Sequence, residues 1–491
     1  MASSSVSGTG RKRRSRLERA GARIAMALTL ACTACSPSSI TDSLFGSNTP
    51  APGQPGYVKG FLGGVVADEP RAALIGRDVL SSGGNAADAA VAVGLALAVT
   101  LPSRASLGSG GACLAYASDA KSVNNGVPEA VLFTPTPPRV AGPNADRPAA
   151  VPMLARGMFL LNARYGSRPI EVPLARAEEL ARFGIQISRA LARDIAVVAT
   201  PLFADPAARA VFSHDGQMLT EGQQLTQTEL ASTLAQIRVS GVGDLYQGAL
   251  GRRIVDGSAS IGGPLQLSDL RAALPRLAPP LTLDAGRDKV AFLPPPADGG
   301  LAAGAAFQVL QADPAASGAA AARALAAAAL FRRGGMTADE VLATRSLPAA
   351  ALPPLPASTS FATLDKNGNA VVCALTMDNL FGTGRMFPGT GVVAAASPSS
   401  VPPPLLSAAL AWNSNVHGFR AEVGGSGQAG APMAVAWVLY NTLRSGVPLA
   451  SPPPDPGRAN VIACGRYLPS EAGTCGWATD PREPGLAVGG S

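Results

Sequence analysis

The spacing of apolar and polar positions divides the body of the chain into blocks of different period. Gly63-Gly-Val-Val-Ala67 is a short apolar run and reads as a strand, and residues 69–81 place apolar positions at helical spacing. Gly83-Gly84-Asn85 interrupts that pattern. From Asn85 to about Val99 nearly every position is apolar, as in a helix enclosed on all sides. Gly108-Ser-Gly-Gly111 leads into 112–117, a second buried strand, so the block reads strand, helix, helix, strand. Residues 150–250 alternate helical segments with glycine-marked turns at Tyr165-Gly166, Phe183-Gly184 and Asp215-Gly216. A strand pair is expected near 281–293, and Pro294-Pro-Pro-Ala-Asp-Gly-Gly300 opens an alanine-rich helical stretch to about Phe331.

The pattern changes after a proline-rich segment over 346–357, which regular structure cannot accommodate. Ser358-Thr-Ser-Phe-Ala-Thr-Leu364 is β-prone, Asp365-Lys-Asn-Gly-Asn369 is a hairpin turn with Asn-Gly suited to positive φ, and 370–376 returns as the partner strand. A further strand over Phe419–Val423 meets Gly424-Gly-Ser-Gly427, and a helix follows from about Pro432 to Thr442. No internal repeat is evident.

Charge alters this picture at one end only. The chain of 491 residues has a formal charge of +7, but residues 1–35 hold seven basic residues against one acid, leaving 33 basic and 32 acidic residues in the body. A spread-out nucleic-acid surface is therefore excluded. Charged residues are 15% of the chain and hydrophobic ones 47%, which excludes a disordered scaffold. The basic leader precedes an apolar run over 24–31 and then Cys32-Thr-Ala-Cys35-Ser36, the layout of a signal peptide. A small residue before a cysteine resembles a bacterial lipoprotein signal, with Cys35 the lipidated residue and Cys32 the alternative; ordinary signal-peptide cleavage nearby is the other reading. Residues 36–58 form a Ser/Pro/Gly-rich linker. The expectation is an exported, periplasmic protein tethered to the membrane through Cys35. Of the four cysteines of the body, Cys113, Cys373, Cys464 and Cys475, the last two could close a small loop as a disulfide in an oxidising compartment, or remain two free buried thiols.

Several chemistries are absent. Apart from Cys32-Thr-Ala-Cys35 in the leader no CxxC pair occurs, and there is no HExxH or Walker-type loop, so neither a protein-bound metal nor a cofactor is expected. Only His214 and His417 exist and there is no GxSxG elbow, which argues against a Ser-His-Asp triad. Gly425-Ser-Gly427-Gln-Ala-Gly430 matches GxGxxG but lacks the βαβ unit of a dinucleotide site; its backbone N–H groups suit an oxyanion instead. Ser358 remains. If the Ala357–Ser358 bond is cut, Ser358 carries a free α-amine beside its Oγ, and that amine can act as the general base without any histidine.

The ordered blocks at 63–67, 83–93, 107–111 and 294–300, and above all Ser358-Thr-Ser-Phe-Ala-Thr-Leu-Asp-Lys-Asn-Gly-Asn-Ala-Val371, continuing into Thr376 and Phe381-Gly-Thr-Gly384, resemble the γ-glutamyltransferase (glutathione hydrolase) family of N-terminal nucleophile hydrolases. The resemblance implies an α+β fold, an αββα sandwich, and self-cleavage into a large-subunit region (59–357) and a small-subunit region (358–491) that remain associated. It places Ser358 on the nucleophile, Thr359 on the next threonine, Thr376 on the threonine supporting the nucleophile, and Gly427 and Gln428 on the oxyanion pair. A backbone donor tolerates Gln428 if its φ is negative. The family's carboxylate-binding Arg falls on Thr134, its Asn on Asp378, its amine-binding Asp near Ser400, and its Ser-Ser pair on Leu406-Ser407. The expected substrate is a small amide, glutathione-like or of another acyl group. A diverged, non-catalytic envelope lipoprotein that keeps the fold is the alternative, motivated by the lost Arg and Asp.

Overall fold

The computed structural model describes residues 62–119, 121, 123–139 and 145–490. The leader with Cys32 and Cys35, and the linker after it, lie outside the described residues. No helix among the described residues is long and apolar enough to cross a membrane.

Two antiparallel sheets lie face to face. The first holds β1 (Gly63–Ala67), β2 (Gly110–Tyr116), β3 (Glu129–Phe133) and β4 (Arg276–Ala278). The second begins with β5 (Leu281–Ala285) and β6 (Asp288–Phe292). The chain returns to the first with β7 (Thr359–Asp365) and β8 (Ala370–Thr376), then crosses to the second with β9 (Ser407–Asn413), β10 (Gly418–Ser426), β11 (Arg458–Leu468) and β12 (Cys475–Thr479). The last strand, β13 (Leu486–Gly490), closes the edge of the first sheet. The orders are β13-β1-β7-β8-β2-β3-β4 and β12-β11-β10-β9-β6-β5.

Helices cover both outer faces. α1 (Pro70–Ser81), α2 (Ala86–Thr100) and α3 (Leu154–Tyr165) pack on the first sheet, with α4 (Glu171–Phe183) against α2; α5 (Gly299–Ala312) and α7 (Ala431–Ser445) pack on the second, with α6 (Ser317–Arg332) against α5. One apolar cluster fills each helix–sheet layer and a third, with Val66, Leu114, Val372, Leu410 and Ile462, fills the space between the sheets. This is the αββα sandwich expected from the resemblance. It explains why the central strands lack hydrophobic alternation: with both faces covered, all seven residues of β7 and all seven of β8 are buried.

The apolar run after Asn85 is a helix with all fifteen residues buried. Asn85 accepts from the Asp88 N–H and Asp88 accepts from the Asn85 N–H, closing the helix start reciprocally. The alanine-rich stretch forms two helices, not one. Asp313 takes an extended backbone at the end of α5, as a residue preceding Pro314 must. β10 also runs past its expected end at Val423 to Ser426. Gly424 is the reason: a Cβ there would meet the Ser360 Cβ at 2.8 Å, so a glycine lets the two sheets touch behind β7. Strands β3, β4, β9, β11, β12 and β13 were not expected from the sequence.

Two disulfides tie neighbouring strands. Cys464–Cys475 joins β11 to β12, and Cys113–Cys373 joins β2 to β8 at directly opposed positions.

Between the sheets lies one costly group. Glu422 on β10 is fully buried, neither carboxylate oxygen has a hydrogen-bond partner, and burial, with the nearby Asp365 adding to it, pushes its pKa well above the usual carboxylate range. The unfolded chain ionises this group above its ordinary pKa of about 4.3 while the folded one keeps the proton, so stability falls as pH rises from there towards the raised value. Glu422→Gln removes this loss. Thermal unfolding should therefore show a Tm advantage of the variant that is absent near pH 4 and widens towards pH 8; a constant difference would contradict the assignment.

Candidate active site

The β7–β8 hairpin sets the geometry. Asp365 closes its turn by accepting from the N–H groups of Asn367 (2.8 Å) and Asn369 (3.1 Å), and its other oxygen takes the Asn369 side-chain amide at 2.8 Å. That second oxygen also accepts from the Ala86 N–H, joining the turn to the start of α2. Gly368 supplies the left-handed residue at φ +84°. The resulting register pairs Thr359 with Leu375 and, continued by one residue, brings Ser358 opposite Thr376.

At that open end the Thr376 hydroxyl donates to the carbonyl oxygen of Ala357 at 3.0 Å. It accepts in turn from the Asp378 N–H at 2.9 Å. A hydroxyl has one proton, and the second contact leaves that proton for the Ala357 carbonyl. The proline-rich segment runs from exposed residues at Pro353 and Pro354 to buried ones at Leu355 and Pro356, and Ser358 is itself buried. The Gln428 side chain holds the segment by donating to the Leu355 carbonyl at 2.9 Å. Gln428 and Gly427 do sit in the turn after β10, but Gln428 has φ +54° and Gly427 φ +100°. The expectation of a negative φ at Gln428 is thus corrected: the turn keeps a left-handed backbone and the glutamine bears its cost.

Behind the junction lies a group the sequence reading missed. Asp68, directly after β1, accepts from the Thr359 hydroxyl at 2.8 Å and the Ser360 N–H at 3.0 Å. Its other oxygen takes the Asn460 side-chain amide at 2.7 Å, and that amide also contacts the Ser360 carbonyl and hydroxyl. In sequence, Asp68-Glu69-Pro70 looks like the start of a helix, and Glu69 does cap α1. Nothing local marks Asp68 as a partner of a strand almost three hundred residues away. Thr359 therefore faces this network.

In front of the junction is a cavity of about 300 Å³ lined by Thr134, Thr136, Thr376, Asp378, Leu406 and six prolines. Thr134, Thr376 and Asp378 are thus brought together. Ser407 is buried with its hydroxyl donated to the Leu405 carbonyl and does not line the cavity; Leu406 does. Ser400 lines a different cavity of about 360 Å³ with Arg147 and Asn379. Asp378 is 1% exposed, has φ +55°, and neither carboxylate oxygen has a partner; burial pushes its pKa up to about 8. No Lys or Arg lines the cavity. Among the described residues, no group of three or more His, Cys, Asp or Glu is placed to hold a metal ion.

The profile of the Gamma-glutamyltranspeptidase family matches residues 72–327, just over half of the chain. The chain belongs to this family. Glutathione hydrolase 3 of Arabidopsis thaliana is 32% identical over 248 residues, covering 48% of this chain and 38% of that one. The glutathione hydrolase proenzyme of Escherichia coli K12 is 30% identical over 261 residues, covering 50% and 44%. The chain therefore spans less than half the length of these curated relatives. The crystal structure of a cephalosporin acylase from Bacillus halodurans shares the fold with a TM-score of 0.70 at 19% identity, covering 90% of this chain and 98% of that one.

The Asp68 network makes a stability prediction. Asp68→Ala leaves the Thr359 hydroxyl and the Ser360 N–H without an acceptor in a buried site, which costs about 2–5 kcal/mol. Urea unfolding reads this loss directly, and a change under about 0.5 kcal/mol would show that the network carries no weight.

Proposed function

We propose that this family member is a self-processing amide hydrolase or acyltransferase with Ser358 as its N-terminal nucleophile. The observation that carries the reading is the Thr376 hydroxyl donating to the Ala357 carbonyl beside Ser358. In the uncut chain the Ser358 Oγ attacks the Ala357 carbonyl carbon, and negative charge grows on the oxygen that Thr376 already contacts. The C–N bond then breaks, leaving an ester on Oγ and a free α-amine. Water hydrolyses the ester, giving Ala357 a carboxylate and restoring the Ser358 hydroxyl.

The mature group repeats this chemistry on an external amide. The free amine, ordinarily near pKa 7.7–8.0, takes the Oγ proton as Oγ attacks the substrate carbonyl and returns it to the leaving amine. Backbone N–H groups of the turn at Gly427 and Gln428 hold the oxyanion in this reading. The acyl-enzyme then passes to water or to an amine acceptor. Candidate substrates are small acyl amides, γ-glutamyl compounds such as glutathione among them. Residues 59–357 and 358–491 become the large and small parts. The leader directs export to the periplasm, where Cys35, or Cys32, tethers the protein; two disulfides suit that oxidising compartment.

Expression of the chain should yield two fragments, the smaller beginning at Ser358 by N-terminal sequencing, while Ser358→Ala stays uncut. Because Cys113 and Cys373 lie on opposite sides of the junction, the fragments should separate on a denaturing gel only after reduction. A single chain under reducing conditions, identical to Ser358→Ala, would overturn the reading and favour the non-catalytic alternative. Thr376→Val keeps the shape and removes the proton on the Ala357 carbonyl. It should slow self-cleavage about 10²–10³-fold, measured by fragment appearance over time.

A further inference from the structure

The side chain of Asp378 serves no structural purpose that the fold reveals. Its N–H holds the Thr376 hydroxyl, which any residue but proline could do at this position. Its carboxyl is 1% exposed, and both oxygens lack a partner. Its backbone, at φ +55°, occupies a region that most side chains avoid. A buried, unpaired carboxyl on a strained residue persists where something outside the fold completes it.

The cavity's walls supply no such partner: the Thr134 hydroxyl lines it without bonding Asp378, whose two oxygens have no hydrogen bond. Pro135, Pro137, Pro296, Pro398, Pro403 and Pro404 line it, and proline has no N–H to donate. The Thr376 proton goes to the Ala357 carbonyl and the Thr136 proton to the Thr134 carbonyl. Arg332 lies behind the proline wall, where it binds both oxygens of Asp298 and contacts the Pro403 carbonyl. A carboxylate in the cavity would find no cation and would face Asp378.

We propose that the cavity receives an acyl group that carries an amine and no carboxylate, with the Asp378 carboxylate pairing the amine. The proposal rests on the amide-cleaving reading above and specifies its substrate class. An ammonium brings three N–H donors, enough to satisfy both orphaned oxygens, and its charge offsets the burial that pushes the Asp378 carboxyl up to about 8. A purely apolar acyl group fits the prolines but leaves Asp378 unpaired. A γ-glutamyl group brings an amine together with an unmatched carboxylate. Thr376 lines the same cavity while touching the Ala357 carbonyl, so an acyl group held there has its own carbonyl close to the reacting centre.

The test compares three p-nitroanilides on the cleaved protein: γ-aminobutyryl, butyryl and γ-glutamyl. The expected result is a kcat/KM for the γ-aminobutyryl amide on the order of tenfold or more above each of the others. Asp378→Asn should collapse the ratio of γ-aminobutyryl to butyryl towards one, which a merely structural role for Asp378 would not do. A butyryl or γ-glutamyl amide turned over as well as the γ-aminobutyryl one would overturn the proposal and leave the amide-cleaving reading standing. Binding separates the two ideas further. The uncut Ser358→Ala chain retains the cavity, and calorimetry should find butylamine binding at least about tenfold tighter than butyrate. Absence of that preference overturns the proposal whether or not the wild type cleaves itself.

Discussion

Strand pairing between β7 and β8 is the constraint on which the rest depends. Its register decides that Ser358 comes to rest against Thr376, and the remaining features keep the register from slipping. Asp365 cinches the turn at one end and anchors it to α2. The two helical layers and the opposing sheet leave neither strand a solvent face, so a slip of one residue would have to repack both sides at once. Gly424 admits the second sheet close behind Ser360, and Asp68 and Asn460 satisfy the polar atoms that this proximity buries. The open end of the hairpin is consequently a place where a serine, a threonine and a peptide carbonyl are held by packing far larger than themselves.

Most of this half of the molecule was legible in the sequence because the signals are local. A glycine break, an Asn cap and an uninterrupted apolar run are enough for α2, and Asp365–Asn369 declares its turn. The strands that escaped notice carry weaker marks. Leu486–Gly490 has two glycines in its five residues, and Arg458–Leu468 follows a proline loop and mixes charge into its apolar run; each becomes a strand because an edge awaits it. The site divides in the same way. Ser358 stands out because a proline-rich segment ends abruptly at a β-prone run, whereas Thr376 was reached only through the family resemblance. Asp68 does not, because its partners are distant in sequence and its immediate context already explains an acid before a helix. Gln428 shows a third case, in which residue type suggested one backbone region and the tight turn after β10 imposed another.

Electrostatically the site is sparse. In the proposed mechanism the reaction centre needs almost no charge, since a hydroxyl polarises the junction and an amine created by cleavage supplies the base. Recognition then falls to a cavity walled by residues that can neither donate backbone hydrogen bonds nor change shape readily. Rigid, donor-poor walls make the one ionisable side chain decisive: they leave it no internal partner and give a ligand few other polar contacts. The same scarcity accounts for the position of Thr134, which contributes bulk and a hydroxyl to the wall where a cation would have changed the sign of the whole pocket.

The bond between Cys113 and Cys373 acquires a different meaning if the chain is cut as proposed. Without it, the two pieces would form a non-covalent pair, and their association would follow mass action and weaken on dilution. With β2 and β8 covalently joined, each piece meets the other at a fixed effective concentration set by the link and not by how much protein the surroundings hold. A protein that breaks its own backbone at the reaction centre, as proposed, can then still behave, for every question of concentration, as one molecule.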